Sequence, residues 1–137
     1  MTGALVRARR LALVGGGGAV GGLLRAACAL ALPHAAGAPE WSAMALLAVN
    51  LSGSLLAGVI RGAMERRRAD GWDGDDLDAL IVAGFCGGFT SYSAFVAAAT
   101  PEGAWIAGAT IVGCPLAALL GMRLSGGYPA RPAGIPR

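Results

Sequence analysis

The side chains able to do chemistry in this sequence are few, and most are uncharged. Asn50 stands in the run NLSGSLLAG; Thr90, Ser91, Tyr92 and Ser93 stand in GFCGGFTSYSAF; Thr110 stands in GATIVG. An amide and a set of hydroxyls offer neutral hydrogen-bond donors and acceptors. They do not offer a nucleophile activated by a base, and an enzyme is the least favoured reading. Arg25 is the one charge inside a long apolar run. Such an arginine costs at least ~2.5 kcal/mol at the centre of a membrane helix and marks function unless its guanidinium snorkels to the interface. Cys28, Cys86 and Cys114 are odd in number and unpaired in spacing, which speaks against a disulfide framework or a zinc site and for small packing residues. Gly16, Gly18 and Gly21 satisfy G-x-G-x-x-G, with Glu40 near the distance of a ribose-binding acid. No strand pattern surrounds them. Gly17/Gly21 and Gly18/Gly22 serve better as close contacts between helices.

The elements that must hold these groups are membrane helices. The chain has 137 residues, 55% hydrophobic and 14% charged, with a mean hydropathy of +0.62. Apolar runs of roughly 17–25 residues are candidate spans. Four fit, at about 11–32, 41–61, 79–100 and 103–123, and the Gly- and Pro-rich stretch 124–137 reads as a disordered tail. The fold class expected is an all-α membrane protein: one four-helix domain, too small to enclose a pathway alone and so oligomeric. The acids Asp73, Asp75 and Asp76 lack a calcium loop's framework and read as part of a solvated connection. Gly84, Gly87 and Gly88 precede the hydroxyl cluster of the third run. Glycines and hydroxyls together permit a helix to break near mid-membrane, where the freed backbone must line protein or a wet cavity. Gly84 and Gly88 alone would equally suit close helix packing. Counting rise per residue, Asn50, Thr90 and Thr110 lie roughly 10–17 Å into a core about 30 Å thick. No Asp, Glu or Lys lies in any span. A path lined by amide and hydroxyl groups suits a small anion rather than a proton or a metal ion.

Three stretches, GGAVGGLLR, NLSGSLLAG and GFCGGFTSYSAF, occur in that order. In them the chain resembles the Fluc/CrcB family of small fluoride channels, over the four-span layout and most of its length. The resemblance implies a fluoride-specific channel that lets fluoride leave the cytoplasm passively. It implies an antiparallel dimer with two fluoride pores and one central structural sodium ion, not transported. Backbone carbonyls at the third-helix break would hold that sodium, here those of Gly87 and Thr90. The family's pore asparagine maps onto Asn50, its two pore phenylalanines onto Tyr92 and Phe95, and its fourth-helix hydroxyl onto Thr110, with Ser93 beside them. Arg25 matches the first-helix arginine and would serve an anion vestibule. Tyr92 in place of Phe and Leu55 in place of a common Phe depart from the family pattern.

The arginines bear on the partner. There is no lysine, and besides Arg25 ten arginines remain: Arg7, Arg9, Arg10, Arg61, Arg66, Arg67, Arg68, Arg123, Arg131 and Arg137. All ten fall on one side of a four-span topology. The positive-inside rule then places both termini in the cytoplasm of a multi-pass protein of the cell membrane. A chain with this bias inserts one way, so an oppositely oriented homologous subunit is the expected partner, with a homodimer as the alternative. Lipid surrounds the pair, and nothing points to nucleic acid. The competing readings are a four-helix small-molecule transporter subunit, which would want a membrane carboxylate, and a non-conducting assembly subunit.

Overall fold

The computed structural model describes residues 3–31, 43–69, 74–92 and 104–126. Ser93 and Phe95, the turn at Pro101–Gly103 and most of the expected tail lie outside them. Among the described residues every regular element is helical and there is no strand. Helix α1 spans Gly3–Ala31 and α2 spans Ala43–Ala69. Helix α3 covers 75–89 in three windings: a first turn at Asp75–Leu77, a π-helical stretch at Asp78–Cys86 and a last α turn at Gly87–Phe89. Helix α4 spans Ala104–Leu124.

Local sequence explains the helix ends. Asp75 and Asp76 occupy the first turn of α3, where the partial positive charge of the helix N-terminus favours acids. Arg66, Arg67 and Arg68 fill the last turn of α2, where the opposite sign favours bases. Helix α4 stops because Gly126 takes φ 71°, and its N–H reaches back to the Arg123 carbonyl at 3.0 Å. That left-handed turn is accessible to glycine at little cost.

Three helices are long and apolar enough to cross a membrane: Gly3–Ala31, Met44–Arg68 and Ala104–Leu124. The third apolar run of the sequence is described only as far as Tyr92. Helix α1 starts before the expected span and α2 continues beyond it. At 1.5 Å per residue, the 29 residues of α1 exceed a hydrocarbon core of roughly 30 Å. The extra turns carry the arginines out of the apolar layer.

Helix α1 packs along α3, α2 packs along α4, and α2 also meets α3. The α1–α3 contact is made by glycines. A Cβ on Gly17 would overlap the Leu80 carbonyl, one on Gly21 the Phe85 carbonyl, and one on Gly88 the backbone of Gly18. Between lipid-exposed helices, where no hydrophobic force separates helix from tail, such backbone approach is what holds a pair together. The expected Gly17/Gly21 contact is thus present. Gly18 meets Gly88, but Gly22 faces open space within the chain. Helices α2 and α4 repeat the device, with Gly58 against Ala118 and Gly121 against Leu55.

In both pairs, residue numbers rise together along the contact, so the helices of each pair run parallel. The start of α1, the end of α2, the start of α3 and the end of α4 therefore gather at one end. Ion pairs tie three of these helix ends there: Arg9 with Asp76, Arg10 with Asp75 at 2.5 Å, Arg68 with Asp75 at 2.6 Å and Arg61 with Asp78 at 3.1 Å. Each is solvent-exposed in part and contributes little alone, of order 0–1 kcal/mol. Their placement matters more, since it collects the arginines of separate segments at one face of the bundle.

Candidate functional site

The site begins where α3 ends. Thr90 has φ −75° and ψ 155°, an extended conformation that stops the helix after Phe89. The Cys86 carbonyl accepts from both the Thr90 N–H, at 3.0 Å, and the Thr90 hydroxyl, at 3.0 Å. In a continued helix the Ser91 N–H would donate to the Gly87 carbonyl. Here it donates instead to Asn50 Oδ1 at 3.0 Å, in a buried bond that ties the chain just after α3 to α2. Gly53, one turn along α2, makes room for this approach, because a Cβ there would stand 2.6 Å from Thr90 Cγ2.

That bond settles which way the Asn50 amide points. A backbone N–H can only donate, so the atom facing it must be the carbonyl oxygen, and the usual ambiguity of an amide is removed. Asn50 is 4% exposed. Its NH₂ meets no acceptor among the described residues, and the residue lines a cavity of about 310 Å³. Asn50 and Ser54 contribute from α2, Thr110, Ile111, Cys114 and Pro115 from α4, and Thr90, Ser91 and Tyr92 from the end of α3 and the residues after it. Asn50/Ser54 and Thr110/Cys114 are each four residues apart, the spacing that puts two side chains on one helix face. Ser52, between them in sequence, turns away and bonds the Val49 carbonyl at 3.1 Å.

Thr110 Oγ1 is buried and without a hydrogen-bond partner among the described residues. A buried polar atom left so is costly, of order 1–3 kcal/mol, and is explained when something absent from the protein itself satisfies it. Pro115 adds an acceptor, because it has no N–H to give the Ile111 carbonyl. Among the described residues, no carboxylate stands on the cavity wall. The wall offers neutral hydrogen-bonding groups, an amide and hydroxyls.

Of the residues singled out in the sequence, the fold brings Asn50, Thr90, Tyr92 and Thr110 around this one cavity. Tyr92 sits at its rim, 79% exposed. Gly87 is helical, one turn before the wall, and open space lies where its Cβ would be. Arg25, part-buried on α1, is not on the wall; it lies one turn beyond Gly21, which packs on α3 at Phe85 and Phe89. Ser93 and Phe95 lie outside the described residues. Sequence reasoning missed Ser54, the Ser91 N–H and Cys114. The four-residue spacing could have found Ser54 and Cys114, whereas the Ser91 anchor needs the fold.

Similarity to known proteins agrees with this architecture. The family described as CrcB-like protein, Camphor Resistance (CrcB), matches residues 12–124. A protein of Chlorobium phaeobacteroides named fluoride-specific ion channel FluC is 39% identical over 87 residues, 63% of this chain and 62% of that protein. Proteins named fluoride-specific ion channel FluC 1 match from Natronomonas pharaonis and from Corynebacterium diphtheriae. The first is 38% identical over 91 residues, 66% of this chain and 68% of the relative. The second is 40% identical over 83 residues, 60% of this chain and 70% of the relative. The chain therefore spans somewhat less than two thirds of the Chlorobium protein's length. With the match running from the first apolar helix to the end of the fourth, the chain belongs to the CrcB-like family.

Proposed function

We propose that this chain is a subunit of a fluoride-conducting channel that lets fluoride leave the cytoplasm passively. The observation that carries the reading is the locked orientation of Asn50: its oxygen is committed to Ser91, which leaves the NH₂ of this cavity-lining residue to donate elsewhere. Fluoride is small, charged and strongly hydrated, and conduction needs sites that replace its water without holding it. In this reading the Asn50 amide and the Thr110 hydroxyl would supply donors, Tyr92 and Phe95 ring edges with a positive rim, and Ser93 a further hydroxyl. Arg25, away from the cavity, would act as a vestibule charge that raises local anion concentration. The names of the three relatives support the choice of ion.

A structural sodium ion fits the same segment. A hard cation takes oxygen ligands, and the Gly87 carbonyl has lost its helical donor to the redirected Ser91 N–H. The carbonyls of Gly87 and Thr90 would hold the ion, completed by the same atoms of a second, antiparallel chain. Bound there, it would neutralise carbonyl dipoles brought together where two helices end. The open flank of Gly87 leaves backbone accessible to such a chain.

Liposomes carrying the assembled protein test both points. Fluoride is expected to leave them while chloride is retained, and flux is expected to fall when a large organic cation replaces sodium. Equal leakage of both anions, or none of either, would reject the channel. Full flux without sodium would remove the ion alone.

The partner in this reading is an inverted homologue, with a homodimer as the alternative. Arg9, Arg10, Arg61, Arg66, Arg67, Arg68 and Arg123 all belong to the helix ends gathered at one face of the bundle. Such a bias orients a chain in one direction, with both termini in the cytoplasm. A cysteine placed at the N-terminus in intact cells is expected to resist an impermeant label. Labelling of a substantial fraction of molecules would instead show insertion both ways and favour the homodimer.

A further inference from the structure

We propose that Cys114 is a thiol-modification site through which the path along this cavity is closed by a small, uncharged sulfur electrophile; the proposal rests on the channel reading above. Cys114 follows Thr110 by one turn on α4, and Ser54 follows Asn50 by one turn on α2. The two helices are parallel and in register, with Gly113 beside Leu51 and Gly58 beside Ala118. The wall is thus built in two rungs. Asn50 and Thr110 make one, and Ser54 and Cys114 make another about 6 Å nearer the arginine-rich end.

A cysteine on an apolar helix is ordinarily a packing residue, and two observations set this one apart. Asn50, 4% exposed, lines the same cavity with its NH₂ lacking an acceptor among the described residues, and Thr110, another lining residue, has its Oγ1 buried without a partner. Each has hydrogen-bonding capacity that the described residues leave unused, which a packed apolar core does not contain. The thiol is free and part-buried, and so within reach of a small reagent. Cys86 is buried and is not a lining residue, and Cys28 lies on α1, which contributes nothing to the wall.

With methyl methanethiosulfonate the step is a sulfur displacement. The Cys114 thiol gives its proton to water, and its sulfur attacks the methylthio sulfur of the reagent. The reagent's S–S bond breaks, and methanesulfinate leaves with the electron pair. The product is a mixed disulfide bearing a methylthio group, reversed by added thiol. A weak donor is replaced by an apolar cap, and the second rung is narrowed.

Fluoride efflux before and after the reagent, with each variant normalised to its own untreated rate, tests this. In the wild-type assembly efflux is expected to slow by about tenfold, a change that 1.36 kcal/mol of added barrier produces, and to recover with dithiothreitol. Cys28→Ser should stay sensitive; Cys114→Ser and Cys114→Ala should be resistant. Mass spectrometry of the treated wild-type protein makes the result independent of how the variants fold. Cys114 carrying the methylthio group with efflux unchanged, or Cys114 left unmodified, overturns the proposal while the channel reading stands. No fluoride efflux before the reagent overturns the channel reading and this proposal with it.

Discussion

Asn50→Ala is expected to reduce fluoride efflux to near background and, unlike a substitution at a purely pore-facing residue, also to weaken the fold. The amide does two things at once. Its oxygen accepts the Ser91 N–H at 3.0 Å, and its NH₂ is the donor left to serve the cavity that the residue lines. Loss of a hydrogen bond to a charged partner is worth roughly 1.5–3 kcal/mol, or about ten- to a hundredfold in rate for each bond lost. Loss of the acceptor leaves a buried N–H at the end of α3 unsatisfied, at about 1–3 kcal/mol. Asn50→Asp separates the two effects. It keeps an acceptor for Ser91 but puts a carboxyl where the anion needs an amide, so thermal stability should recover relative to the alanine variant while efflux does not. Equal efflux from wild type and Asn50→Ala in a correctly assembled protein would remove Asn50 from the path.

How much of this was legible beforehand follows from how local each feature is. Apolar run length and the depth of Asn50, Thr90 and Thr110 depend only on counting residues along a helix, and those residues do converge on one cavity. The end of a helix near GFCGG was legible as a possibility, from glycines followed by hydroxyls. That it falls at Thr90, after a π-helical stretch, depends on Ser91 finding an acceptor 41 positions away. No reading of periodicity supplies that partner. Cys114 reads as packing from sequence because cysteines in apolar helices usually are; its cavity depends on α2 and α4 running parallel in a given register. Arg25 shows the reverse. Its charge in an apolar run drew notice, yet the fold sets it on the α1–α3 side, apart from the cavity wall. The glycines of α1 announced close contacts without saying with what, and Gly22, read as one of them, meets nothing within 4 Å.

That asymmetry among the glycines yields the second large expected effect. Gly17→Val should prevent assembly, with loss of folded protein in detergent rather than a selective loss of flux. The valine Cβ would overlap the Leu80 carbonyl and stand 2.9 Å from the Phe85 nitrogen. These are backbone atoms, and they cannot swing aside as a flexible side chain does. Relief requires α1 and α3 to separate along their length, which also lifts Gly21 from Phe85 and Gly88 from Gly18. A membrane pair held by backbone approach has no hydrophobic force to close it again. Overpacking of an ordinary core costs about 1–3 kcal/mol, and a site bounded by backbone belongs at or above the upper end. Separation would also loosen α3 just before the turn that delivers the Ser91 N–H to Asn50, so any residual protein should conduct poorly. Gly22→Ala is the matched control, since it adds a methyl group to the same helix where nothing in the chain stands within 4 Å. Its melting temperature in detergent should stay close to wild type while that of Gly17→Val collapses. Comparable melting of the two variants would show that the α1–α3 glycine contact is not what holds the bundle.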